Sequence, residues 1–325
     1  MVEGHVAEMH ARSIVADAHV DTLDALLHTK KTMSEGAPEG HVNKALLKEG
    51  GVDLLVTAMF TDPIFRPEGT MHRVMQMADL FWRTCDDQDF FPVQSRSDLD
   101  RLGGGGPIGL MLSIEGGEAL CGELAMLRLY HRLGVRLMTL TWSNRNELAD
   151  GIGEKSARGG LTDFGHKVVE AMNQLGMVID LSHISERGFW EVLEYSKVPP
   201  ICSHSNAKKL CSNPRNLNDE QAGALANKGG VIGLTFCPPF LTQEGPATLD
   251  IFLDHIDHFA GLIGAHHLCI GSDFDGISAT PDGLPDISCL PLVTEGLLRR
   301  GYSDETVAGI IGGNFVRLLR QQLPV

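Results

Sequence analysis

The chain has 325 residues, 43% apolar and 21% charged, with 27 basic against 42 acidic side chains and a formal charge of −15 at pH 7. That length fits one large α/β domain, here taken as 1–325, or two smaller ones, with enough residues for a full hydrophobic core. The acidic balance argues against a nucleic-acid partner, which wants a basic surface, and no run of roughly eighteen apolar residues is present to span a bilayer. The opening MVEGHVAEMHAR lacks the apolar stretch of a secretory leader, and the closing LLRQQLPV is too short and polar for an anchor signal. Seven cysteines, at 85, 121, 202, 211, 237, 269 and 289, show no CxxC spacing. Their odd count suits reduced thiols in a cytoplasmic protein.

In chain order, short apolar runs predict strands over 13–18, 52–60, 108–114, 135–140, 177–182, 199–203, 230–236 and 268–272. Helical periodicity predicts helices over 71–86, 118–133, 162–175, 185–196, 218–228 and 247–264, with two more at 287–300 and 303–320. Gly134, Gly176, Gly229 and Gly264 stand where helix C-caps belong. Strands alternating with helices predict a closed (β/α)8 TIM-type barrel carrying extra C-terminal helices. A doubly wound open sheet is the main competitor, but it would gather its site at one switch point. Here the chemistry-bearing residues follow strands one, three, five and six. The polar insertion at 28–50 predicts a rim or lid, and GGGG at 103–106 a flexible turn without the lysine of a phosphate loop.

His19 and Asp21 are two apart, so a strand presents both on one face; alternatively Asp21 caps the helix starting at LDALL. Glu115 follows a buried strand and precedes two glycines, which leave room beside its carboxylate. A carboxylate there can bridge two cations, or it can cap the next helix, a role that suits Glu118 better. His183 and His204 end successive strands 21 residues apart, one strand–helix repeat, and are expected as neighbours. Together these five side chains exceed what one tetrahedral ion needs. They suit two metals sharing a carboxylate. Arg215, in NPRN, lies on the same rim and can grip a carboxylate through two parallel bonds; a surface arginine is the bland alternative. Asp273, in GSDFDG, can accept a proton from a water and pass it on, or simply build an Asp-rich turn with Asp275. His255 and His258 are read as a solvated helix face.

The stretches DAHVDT (17–22), SIEGGEAL (113–120), GVRLMTLTWSNRNELADG (134–151), GLTDFGHKVVEAMNQLGMVIDLSHIS (160–185), PPICSHSNAKKLCSNPRNLND (199–219), IGSDFDGI (270–277) and GGNFVRLL (312–319) together resemble the membrane, or renal, dipeptidase family. The resemblance covers nearly the whole chain in order. It implies an amidohydrolase-type barrel with two zinc ions, manganese or cobalt being able to fill the same ligands. By that resemblance His19 and Asp21 hold one metal, His183 and His204 the other, and Glu115 bridges them. Asp273 handles the proton of a bridging hydroxide and Arg215 holds the C-terminal carboxylate of a dipeptide, whose C-terminal residue can be D. A homodimer is implied too. The animal members carry a histidine after TLT where this chain has Trp142, whose indole N–H donates but takes up no proton. By the resemblance that histidine contacts the scissile carbonyl, so either Trp142 or a nearby group such as Asn144 replaces the contact here, or the substrate differs. Lactone hydrolysis at the same metals, or a barrel that keeps metals without catalysis, are the competing functions.

Overall fold

The computed structural model describes residues 2–66 and 69–325. Eight strands form the barrel: β1 Ala16–Val20, β2 Leu54–Phe60, β3 Ile108–Glu115, β4 Val135–Thr139, β5 Val178–Asp180, β6 Ile201–Cys202, β7 Val231–Leu234 and β8 Leu268–Ile270. Each pairs in parallel with its neighbours in sequence, and β8 pairs with β1 through Asp17 and Ile270, so the sheet closes. A short extra strand, Phe90–Pro92, pairs with the outer start of β3. The closed barrel replaces the open-sheet alternative.

Alternation along each strand decides what the barrel holds. Ala16, Leu54, Val56, Met111, Leu137, Val178, Ile201, Val231 and Cys269 meet in one buried cluster. Members from all eight strands can meet only inside the barrel. Phe315, Leu318 and Leu319, from the helix Asn314–Gln322, join the same cluster and plug that end. Two residues further on from several of these the same inward parity reaches Ser113, Thr139, Asp180 and Ser203, and four residues on from Met111 it reaches Glu115, all buried. The interior therefore turns from apolar to polar toward the strand C-termini, where a barrel of this kind carries its chemistry. The opposite parity packs outward against the helices, as Leu110, Leu112, Met138, Ile179, Ile232 and Leu268 do.

The helical segments begin where the sequence supplies caps. Thr162, Ser185, Asn218 and Thr248 each accept a backbone N–H from the first turn of the helix they precede, Asn218 within a capping box. Gly134 and Gly176 end their helices in the left-handed conformation, as expected. Several expectations shift. β1 begins at Ala16, so His19 lies inside the strand. The helix Val2–Arg12 was not expected, because its stripe is weak; His10 anchors it, meeting Thr294 Oγ1 at 2.7 Å and the Gly50 carbonyl at 2.9 Å. The predicted helix 303–320 is broken over Gly309–Gly313. A Cβ at Gly312 would stand 2.7 Å from the Ala16 nitrogen, so only glycine lets this segment lie against β1. His255 is fully buried rather than solvated: its ring meets the Ala207 N–H at 3.0 Å and the Leu241 carbonyl at 2.9 Å. The insertion braces the rim, since the His41 N–H donates to Asp275 Oδ1 at 2.6 Å and the Asp275 N–H donates to His41 Nδ1 at 3.0 Å. The seven cysteines are free thiols.

Candidate active site

The five residues singled out as ligands converge at the polar end of the barrel. His19 Nε2 lies 3.5 Å from Asp21 Oδ2, 3.6 Å from Glu115 Oε2 and 3.9 Å from Asp273 Oδ1. His183 Nε2 lies 3.0 Å from Glu115 Oε1 and 2.8 Å from His204 Nε2, which is itself 3.6 Å from Glu115 Oε1. The two oxygens of Glu115 thus face different histidines. Donor atoms of His19, Asp21 and Glu115 lie within 4.8 Å of one another, and so do those of Glu115, His183 and His204. Asp21 precedes the helix Thr22–Thr29 but its side chain makes no cap bond. It turns to His19 instead.

A cation fits these donors on two counts. Both ring nitrogens of His19 and Oδ1 of Asp21 are buried without a hydrogen-bond partner, a costly state for polar atoms. The 3.5 and 3.6 Å separations are too long for hydrogen bonds and suit two ligands about one ion at roughly 2 Å each. The electrostatics point the same way. Burial, then the Glu115 charge, pushes Asp21 up to about 7. Burial, then Asp21, holds Asp273 well above the usual carboxylate range. Glu115 stays well below that range although burial opposes it, because His19 and His183 face it. Burial and then Arg215 bring His183 down to about 4, and burial and then His19 hold His204 well below its ordinary value. Both rings are therefore neutral near pH 7, the form that ligates. Carboxylates crowded to this degree favour positive charge between them.

Backbone strain concentrates here as well. His183, Asp273 and Asp275 are non-glycine residues at φ of 69°, 68° and 65°. Such conformations persist where surroundings over-determine them, commonly at functional sites. A Cβ at Gly276 would overlap the carboxylates of Asp21 and Asp273, so the turn needs glycine there. Asp275 is a brace, accepting from Thr22 Oγ1 at 2.6 Å as well as from the His41 N–H. Glu118 pairs with Arg66 at 2.6 Å and stays off the centre.

A cavity of about 600 Å³ opens onto these residues, bounded by Asp21, Glu115, Trp142, His183, Arg215 and Asp273 together with Phe60, Phe240 and Ile277. Arg215 is 9% exposed. Its Nη2 donates to the His204 carbonyl at 3.2 Å, its Nε has no partner, and Phe240 lies 5.3 Å from its guanidinium carbon. Trp142 stands between Phe60 and His183, at ring separations of 5.3 and 5.9 Å. Asn144 is exposed and outside the cavity lining; its neighbour Ser143 lines it, with Oγ 3.1 Å from His183 Nδ1. Sequence reasoning missed Ser143, Phe60 and Phe240, whose residue types carry no signal of their own. It also passed over Asp180, although that residue opens the DLSH motif.

The membrane dipeptidase (peptidase family M19) family model matches residues 4–323. Dipeptidase 3 of Rattus norvegicus is 35% identical over 252 residues, covering 76% of this chain and 51% of the rat protein. The chain thus spans about half the length of the curated relatives it first matches. Among solved structures, a family M19 metallopeptidase described as dipeptidase AC superposes with a TM-score of 0.90 at 27% identity, covering 97% of this chain and 100% of its own. A metallopeptidase of Rhodobacter sphaeroides, liganded with a phosphinate mimic of the dipeptide L-Ala-D-Ala, superposes with a TM-score of 0.89 at 26% identity, covering 96% and 99%.

Proposed function

The chain belongs to the membrane dipeptidase family, peptidase family M19, and on that footing we propose that it is a metal-dependent dipeptidase using two zinc ions. The observation that carries this reading is the placement of Glu115, one oxygen toward His183 and His204 and the other toward His19. His19, Asp21 and Glu115 would hold one ion, and Glu115, His183 and His204 the second, with manganese or cobalt able to fill the same donors. When bound, such ions supply Lewis acidity to a carbonyl oxygen and bring the pKa of a water toward neutrality.

The rest of the chemistry falls to side chains. Arg215 binds the dipeptide's terminal carboxylate, since its buried guanidinium has an unpartnered Nε beside the cavity. That contact sets the register of the scissile bond and makes long peptides poor substrates. Asp273, raised by burial, is suited to hold a proton taken from the attacking water and to return it to the departing amine nitrogen. Trp142 forms the apolar wall beside His183 and can offer its indole N–H to the substrate. The L-Ala-D-Ala mimic held by the Rhodobacter sphaeroides relative supports an L residue followed by a D residue. Lactone hydrolysis is the weaker reading, because a neutral lactone leaves Arg215 without its anion.

Zinc-loaded protein incubated with L,L and L,D dipeptides, with a chelator control, tests the proposal. We expect chelator-sensitive release of free amino acids, with L,D pairs favoured. A fully loaded protein that cleaves no dipeptide ends it.

A further inference from the structure

We propose that Asp180, acting through Ser203, is a positioning residue that sets the tautomer of His204 and so aims its Nε2 lone pair into the centre; this rests on the metal-dependent reading above. Asp180 ends β5 and is fully buried. Its Oδ1 accepts the backbone N–H groups of Ser182 at 3.0 Å and Ser203 at 2.8 Å. Its Oδ2 accepts the hydroxyls of Thr139 and Ser203, both at 2.6 Å.

The consequence follows from counting hydrogens. A serine hydroxyl has one, and Ser203 gives it to Asp180. At its 2.8 Å contact with His204 Nδ1, Ser203 Oγ can then only accept, so Nδ1 carries the hydrogen. A neutral imidazole has a single N–H, which leaves the lone pair on Nε2. That atom is the one 2.8 Å from His183 Nε2 and 3.6 Å from Glu115 Oε1. Ser182 Oγ, 3.3 Å from Ser203 Oγ, must likewise donate to it, while accepting the His204 backbone N–H at 3.1 Å. No member of this network can turn without leaving a buried group unpaired. His183 lacks such control: its Nδ1 meets Ser143 Oγ, which has no further side-chain partner among the described residues.

Asp180→Asn keeps the shape and reverses the polarity. The amide oxygen still serves the two backbone N–H groups, but the NH2 now donates to Ser203. Ser203 then donates to His204 Nδ1, and the ring hydrogen moves to Nε2. Zinc affinity is read by competition with a chelator, the visible spectrum by loading Co2+, and the His204 tautomer by 15N NMR of histidine-labelled protein. We expect one of two zinc ions to be weakened roughly 10- to 100-fold, the Co2+ absorption of one site to change, and His204 to shift to the Nε2–H form. Ser203→Ala removes the relay without reversing it and should weaken the same single ion by less. Wild-type affinity in both variants overturns the proposal. So does loss of both ions in step with a lowered Tm, which assigns Asp180 to packing alone. Should Asp180→Asn fail to fold, Ser203→Ala decides. A wild-type protein that takes up no zinc in the same titration refutes the metal-dependent reading instead.

Discussion

Arg215→Met is the sharpest probe of the substrate. The residue is 9% exposed and lines the cavity; its guanidinium bonds once to the His204 carbonyl and its Nε has no partner. A hydrogen bond to a charged partner contributes ~1.5–3 kcal/mol, and the arginine fork can supply two in parallel to one carboxylate. Removing them also leaves the substrate's anion unpaired in a confined cavity, so a loss of ~3–4 kcal/mol is expected, roughly 100- to 1,000-fold in kcat/KM. The terminal carboxylate keeps its charge throughout the reaction, so the binding part of the loss should appear in KM, with a further loss in kcat where the register of the scissile bond slips. Stability should hold, since methionine replaces a buried and poorly satisfied charge. The assay compares a dipeptide with the same dipeptide amidated at its C-terminus, in wild type and variant. For the amide, wild type should already be slow and the substitution should change little. An equal penalty on acid and amide would mean that Arg215 does not read the carboxylate.

Other outcomes follow from the same geometry. Asp273→Asn should lower turnover by roughly 100- to 10,000-fold while elemental analysis still finds the metal of the wild type. Gly276→Ala should instead lower metal content, because the added Cβ overlaps Asp21 and Asp273; unchanged zinc would show that the turn relaxes freely. Metal-free protein should melt at lower temperature than loaded protein, and the gap should widen with pH. The lowered His183 and His204 contribute stability that is complete above their usual range near 6.5 and lost as pH falls. Above 6.5 the raised acids remain: Asp21, at about 7, and Asp273, held well above the usual carboxylate range, favour the protonated folded form, so apo stability falls as pH rises toward and through 7. Thermal melts of chelated protein at pH 6.5 and pH 8 check this, and an apo Tm that rises over that interval contradicts it.

Much was legible along the chain because a barrel strand is short, apolar and ends where its chemistry begins. All eight strands, the metal-type residues behind four of them, and the arginine and aspartate of the rim stand in local patterns of period and position. What escaped has a common cause. The break at Gly309–Gly313 depends on the close approach of β1. His255 is buried because two loops distant in sequence offer it an N–H and a carbonyl. Ser143 rather than Asn144 lines the cavity because of how one loop turns.

Residue order alone settled the strand–helix alternation, and with it the end of the barrel on which His19, Asp21, Glu115, His183 and His204 gather, since a period of two forces every second side chain inward. Tertiary structure decided what those side chains face: which oxygen of Glu115 meets which imidazole, and which ring nitrogen of His204 meets Ser203 and, through it, Asp180. Periodicity is a property of the local backbone. Distances and hydrogen-bond directions between strands exist only once the sheet has closed.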